Sequence, residues 1–263
     1  MKAEKYALIT GASTGIGRYL ALECAKNGYH LVLTALPGTG IELVARNLRF
    51  RFDCDVHAVE ADLSTPHGPE QILSYCLTHQ LQISVLVNNA GIGGESEFRS
   101  MSLMHCNTLL QLNTVAVVKL TRLFLPVLEQ QQSYILNVSS LASFIPMPFK
   151  CIYAASKTFI RHFSLLLRAE LKHSSVSVTA LCPGAVPTND LQRSTIRKHG
   201  LMAVLSSIEP DELARIAIRG MLDQKAIVIP GYANRFSRFL MYILPEWLQL
   251  SLLYDSYKSK LIT

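Results

Sequence analysis

The chain has 263 residues, 49% of them hydrophobic, and a formal net charge of +6, which suits one large α/β domain with a sizeable core. Lysines and arginines are scattered, with no basic run interleaved with aromatics, which argues against a nucleic-acid partner. The six cysteines (Cys24, Cys54, Cys76, Cys106, Cys151, Cys182) form no CxxC and no ligand-like spacing with histidine, so no metal is expected and free thiols in a reducing cytoplasm are.

The first apolar run, Tyr6 to Thr10, reads as a strand. It empties into Gly11-Ala12-Ser13-Thr14-Gly15-Ile16-Gly17 and a helix that continues to Gly28. No signal peptide fits the short stretch before it. Strand, glycine turn and helix in that order form a dinucleotide-binding unit, because glycines admit a pyrophosphate and the helix start offers free N–H groups. Leu31 to Thr34 is the second strand. The Ala35-Leu36-Pro37-Gly38 after it has neither the acid that binds an adenosine ribose nor the arginine that accepts a 2′-phosphate. Lack of the acid tilts the cofactor toward NADP(H), and Arg18 is a candidate partner for the phosphate. A helix from Ile41 to Phe50 leads to a third strand, Val56 to Ala61, closed by Asp62-Leu63-Ser64. A helix from Pro69 to His79 leads to a fourth, Ser84 to Val87, which ends in Asn88-Asn89-Ala90-Gly91.

Residues 101–129 read as a long helix interrupted at Asn113. Its core face is expected to carry Leu109, Leu110, Leu112, Val115, Val118, Leu120 and Leu123. Residues 133–157 then run from a buried strand, Tyr134 to Val138, through Ser139-Ser140 and two prolines into a helix over 151–172. On that helix Tyr153 and Lys157 are four apart and share a face. A free tyrosine ionises near ~10, and a neighbouring ammonium lowers that value. With Ser139 or Ser140 presenting a hydroxyl to a substrate oxygen, the pair suits acid/base chemistry on a carbonyl or carbinol.

Val176 to Leu181 is a further strand, followed by Pro183-Gly184-Ala185-Val186-Pro187-Thr188. Residues 188–207 lack a firm period and suit a lid. A helix from Pro210 to Leu222 precedes the last strand, Ala226 to Pro230. Strands alternate with helices, so a single Rossmann-like α/β domain is expected over 1–232: a doubly wound parallel sheet of about seven strands with helices on both faces. The remainder, 233–263, is an apolar tail too broken by Pro245, Glu246 and Gln249 to span a membrane. It packs on the body or a partner subunit, or it lies as an interfacial helix pair on a membrane. The first reading is preferred.

Taken together these stretches resemble the short-chain dehydrogenase/reductase family in its compact form. The matched motifs are Thr10-Gly-x-x-x-Gly-Ile-Gly17, Asp62, Asn88-Asn-Ala-Gly91, Asn113, Ser140, Tyr153-x-x-x-Lys157 and Pro183-Gly184. The resemblance implies catalytic roles for Asn113, Ser140, Tyr153 and Lys157. Tyr153 would be the acid/base and Ser140 would hold the substrate oxygen. Lys157 would bind the nicotinamide ribose and lower the phenol's pKa, and Asn113 would keep a water that passes protons to Lys157. NAD(P)(H) would lie along Gly11, Ser13, Thr14, Gly15, Ile16 and Gly17. It would meet Asp62, Leu63, Asn89, Ala90 and Gly91, and finally Tyr153, Lys157, Pro183, Gly184, Val186 and Thr188.

The expected function is an oxidoreductase transferring hydride to a hydrophobic ketone or aldehyde, or from the matching alcohol. Ser140, Leu141, Phe149 and Tyr153 would touch that substrate, with Phe144, Ile145, Met147 and lid residues Leu191, Ile196 and Met202 nearby. The alternative is a catalytically silent dinucleotide-binding sensor or membrane-associated scaffold. A homodimer or homotetramer is implied, pairing through helices 101–129 and 151–172. The expected location is cytoplasmic, with membrane association through the tail left open.

Overall fold

The computed structural model describes residues 5–94, 96–198 and 206–261. Its sheet comprises β1 (Tyr6–Thr10), β2 (His30–Ala35), β3 (Val56–Glu60), β4 (Ile83–Asn88), β5 (Ser133–Val138), β6 (Val176–Leu181) and β7 (Ile227–Val228). All pairs are parallel, in the order 3-2-1-4-5-6-7. Successive side chains of a strand point to opposite faces. Ala7 and Ile9 of β1 therefore enter one apolar core, while Tyr6 and Leu8 enter the other. Both faces are covered, which is why the central strands read as unbroken apolar runs. One face carries α1 (Gly15–Lys26), α2 (Ile41–Arg51) and α8 (Pro210–Leu222). The other is closed by α3 (Gly68–Thr78) and α5 (Ala116–Leu128).

The strand order reverses direction between β1 and β4. In such sheets a crevice opens at the carboxyl ends of the two strands flanking the reversal, where ligands bind. Here those ends are Thr10 and Asn88.

Three elements differ from expectation. The helix over 101–129 is α4 (Leu103–Leu110) and α5, joined by a π-helical turn, Gln111–Val115, that contains Asn113. A π turn adds one residue and rotates every later residue about the helix axis. The core face of α5 therefore runs through Ala116, Val117, Leu120, Phe124 and Leu128, while Leu110 and Val115 are exposed. The last strand is two residues rather than five. Part of the expected lid is a helix, α7 (Asp190–Lys198), tied to Glu209 at the start of α8 by two 2.9 Å bonds from the Arg193 guanidinium. Leu191 is exposed rather than turned to a substrate, and Met202 lies outside the described residues.

The tail forms α9 (Tyr232–Ile243) and α10 (Glu246–Leu261). Pro245 separates them and holds Leu244 extended. Met241 and Leu253 pack with Phe144 and Met147 on a third apolar cluster that includes Leu141, Ile145 and Cys182.

Candidate active site

Because the sheet is parallel, the segments after β1, β3, β4, β5 and β6 all emerge at one edge. That edge gathers Gly11 to Gly17, Asp62 and Leu63, Asn89 to Gly91, Ser140, and Pro183 to Thr188. The helix after β5, α6 (Cys151–Glu170), adds Tyr153 and Lys157.

At the glycine turn, Gly11 sits at φ +64, and a Cβ there would lie 3.0 Å from the Ala90 Cα. A Cβ on Gly17 would lie 2.2 Å from the Gly11 carbonyl oxygen and 2.5 Å from Asn89 Nδ2, closer than any side chain permits. The contact is drawn tight by Asn89, whose Nδ2 donates to the carbonyls of Thr10 at 2.8 Å and Gly11 at 3.2 Å. The backbone N–H groups of Asn89 and Ala90 both donate to Thr10 Oγ1 at 2.9 Å. The Asn89 amide thus joins the two loops, a use the sequence reading did not foresee. No side chain caps the first turn of α1, so its N–H groups face the crevice with their partial positive charge. Thr188 closes the far side, with its Oγ1 3.9 Å from where a Gly15 Cβ would stand, and both its N–H and hydroxyl bond to Gln192 Oε1. Asp62 Oδ1 accepts from the N–H and hydroxyl of Ser64, Leu63 is buried, and Ser13, Thr14 and Ile16 lie along the turn at least partly open.

The serine pair is resolved by geometry. Ser139 is buried and donates to the Lys157 carbonyl at 2.7 Å. Ser140 caps the turn Leu141–Ser143 by accepting from the Ala142 N–H at 3.1 Å, and its hydroxyl is near enough to the Tyr153 phenol to pull that group's pKa down. Lys157 is buried, donates to the Val138 carbonyl at 3.0 Å, and stands 5.8 Å from the centre of the Tyr153 ring. Burial pulls its pKa from 10.5 to about 8. A Cβ on Gly91 would lie 3.0 Å from Asn113 Oδ1 and 3.4 Å from Lys157 Nζ, and one on Gly93 3.4 Å from the Tyr153 ring. The bare backbone of this loop therefore lets a ligand come close to both Tyr153 and Lys157.

One expectation is corrected. The phenol of Tyr153 is shifted up, not down: burial raises it by disfavouring the phenolate, and the nearby Ser140 hydroxyl opposes this only in part. The Asn113 side chain is fully engaged. Its Oδ1 accepts from the Ile92 N–H at 2.9 Å, and its Nδ2 donates to the Ile92 carbonyl at 2.9 Å and Ser156 Oγ at 3.2 Å. It grips one peptide of the loop after β4.

Of the expected substrate contacts, Leu141 and Ile145 are buried in the third cluster. Phe149 sits at φ +63 with its ring 5.5 Å from that of Tyr254 on α10. Phe144 lies between two guanidiniums, Arg161 at 4.4 Å and Arg238 at 4.6 Å from its ring centre. Sequence reading missed Arg161. Arg161 continues the Tyr153–Lys157 spacing by one more turn, which was the available signal.

The model of the short chain dehydrogenase family matches residues 5–199. The chain belongs to that family. By class this short-chain dehydrogenase is an NAD(P)(H)-dependent oxidoreductase of alcohols and ketones. It is 30% identical to an 11-beta-hydroxysteroid dehydrogenase-like 3 protein of Arabidopsis thaliana, over 83% of this chain and 71% of that one. It is 31% identical to the very-long-chain 3-oxoacyl-CoA reductase of Mus musculus, over 74% of this chain but only 64% of that longer protein. The fold matches a solved short-chain dehydrogenase from Sphingobium yanoikuyae in complex with NADPH, with a TM-score of 0.77, 30% identity, and coverage of 92% and 97% of the two chains. A dinucleotide fits the residues present: an uncapped helix start, a turn that excludes any Cβ, and a lysine reached through Gly91.

Proposed function

We propose that this short-chain dehydrogenase reduces a hydrophobic ketone or aldehyde with NADPH, Tyr153 acting as the proton donor. The observation that carries the reading is Tyr153 beside Lys157, whose ammonium stands 5.8 Å from the ring centre, with Ser140 at the same sheet edge. A phenol is protonated at neutral pH and gives its proton to an oxygen on which negative charge develops, provided a neighbouring cation favours the phenolate left behind. When bound, the dinucleotide supplies hydride from its nicotinamide ring. The rest falls to the protein. Ser140 donates its hydroxyl to the substrate oxygen and orients it, and Tyr153 protonates that oxygen as negative charge develops. Lys157, with a pKa of about 8, carries enough positive charge at pH 7 to favour the phenolate left behind. Asn113 holds the loop of Gly91 to Gly93 against these groups.

Several features support an apolar substrate and the 2′-phosphorylated cofactor. Phe149, Phe144 and Met147 border the site, and the relatives named above are named for steroid and very-long-chain acyl compounds. No acid follows β2 to repel a 2′-phosphate, and Arg18 is exposed beside the glycine turn. The proposal includes cytoplasmic placement, pairing into homodimers or homotetramers through α4, α5 and α6, and a peripheral membrane contact through the tail.

The test is NADPH consumption with a panel of bulky hydrophobic ketones, beside fluorescence titrations of NADPH and NADH. Tyr153→Phe is expected to lower kcat by about a hundredfold to ten-thousandfold while nucleotide affinity stays unchanged. Full turnover by the variant would refute the assigned mechanism.

A further inference from the structure

Helix α9 presents its apolar side outward. Asn234 and Met241 face the body, Asn234 buried with its Nδ2 bonded to the Pro230 carbonyl at 2.8 Å. Tyr232, Phe236, Phe239, Leu240 and Ile243, at helical spacing, are between 40% and 87% exposed. Trp247 at the start of α10 continues the stripe at 70% exposure. The stripe is held in place: buried Gln249 donates to the carbonyls of Met241 and Leu244 at 2.7 and 2.8 Å, fastening α10 to the end of α9. Arg235 and Arg238 flank the stripe and are exposed. Their guanidiniums stack on Tyr232 and Phe144, and Arg235 Nε donates to the Ile229 carbonyl at 3.0 Å. Neither has a carboxylate within ion-pairing distance among the described residues.

We propose that α9 and the first turn of α10 form a foot that docks on an anionic phospholipid surface. The apolar stripe would enter the acyl boundary, and Arg235 and Arg238 would meet headgroup phosphates. This deepens the membrane contact proposed above and does not depend on turnover at Tyr153. Three observations select lipid. Tryptophan, tyrosine and unpaired arginine beside an apolar stripe are the side chains of an interfacial helix. Twelve residues rise only about 18 Å as a helix, so α9 lies in the interface and does not cross it. A second copy is a poorer occupant, because a twofold contact sets a surface against itself. The foot itself carries exposed Arg235 and Arg238 against Glu246, so its net positive charge would be set against itself.

The protein carries its own probe, since Trp247 is its single tryptophan. The full chain is mixed with vesicles of phosphatidylcholine alone or with phosphatidylglycerol, and binding is read by flotation, Trp247 emission and quenching by brominated lipid. Flotation with anionic vesicles, a blue shift and quenching are expected. Phe236→Glu/Phe239→Glu should abolish all three, and Arg235→Glu/Arg238→Glu should weaken anionic binding by at least about tenfold. All four positions are exposed, and an unchanged NADPH titration shows that each variant is folded. The proposal is overturned if emission and flotation stay unchanged with anionic vesicles, or if charge reversal leaves binding intact. It is likewise overturned if the chain is a dimer that Phe236→Glu/Phe239→Glu splits while vesicles bind neither form.

Discussion

Lys157 imposes a stability cost that pH should reveal. Its ammonium is buried against the Val138 carbonyl, and its pKa falls from 10.5 to about 8. That difference corresponds to about 3 kcal/mol held against the folded state whenever the amine is charged in both states. The folded value is the lower one, so the cost is complete below pH 8, shrinks as pH rises toward 10.5, and vanishes above it. Lys157→Met removes the charge and with it the pH-dependent part. It also leaves the Val138 carbonyl without this donor, a loss of about 1–3 kcal/mol that does not vary with pH. The measurement is denaturant unfolding without nucleotide, wild type beside the variant, between pH 7 and pH 10. Wild type should gain about 2 kcal/mol on the variant across that range. Cys24 and Cys76, both pushed up to about 12 by burial, destabilise the fold as pH passes their unfolded values. They are common to both proteins and cancel in the difference. Parallel profiles would show that Lys157 is not buried as a charge and would refute the reasoning.

Other outcomes rest on the same geometry. Ser140→Ala should cut kcat severely with little loss of stability, whereas Ser139→Ala should cost about 1 kcal/mol in unfolding and leave kcat far less affected. Equal kinetic losses would show that the two hydroxyls do not have separate roles. Gly17→Ala places a Cβ 2.2 Å from the Gly11 carbonyl oxygen. The glycine turn must shift to admit it, so NADPH affinity is expected to collapse in a titration, and a wild-type affinity would refute the packing described. Asn113→Ala removes three bonds from a fully buried amide. A destabilisation of about 2–4 kcal/mol is expected in thermal or denaturant unfolding, and a neutral result would count against the clamp on Ile92.

The order of strands and helices, the glycine turn and the shared face of Tyr153 and Lys157 were determined by the sequence itself. Each is a local property, set by apolar period, by the freedom of glycine and by four-residue helical spacing. A parallel sheet then carries every strand-end motif to one edge, so the candidate residues were legible without coordinates. What depended on distance through space was not. Ser139 and Ser140 are adjacent and chemically alike; the family resemblance favours Ser140, and the fold supplies the physical reason, since the Ser139 hydroxyl is buried and committed to the Lys157 carbonyl. The π turn at Asn113 is invisible to a 3.6-residue period, so Val115 was assigned to the wrong face. The direction of the Tyr153 shift depended on how much water the packed site excludes, which no spacing encodes. The tail shows the same division. Its composition announced an apolar segment, but Asn234 and Met241 had to seat on the body before it was decided which side of α9 would face outward.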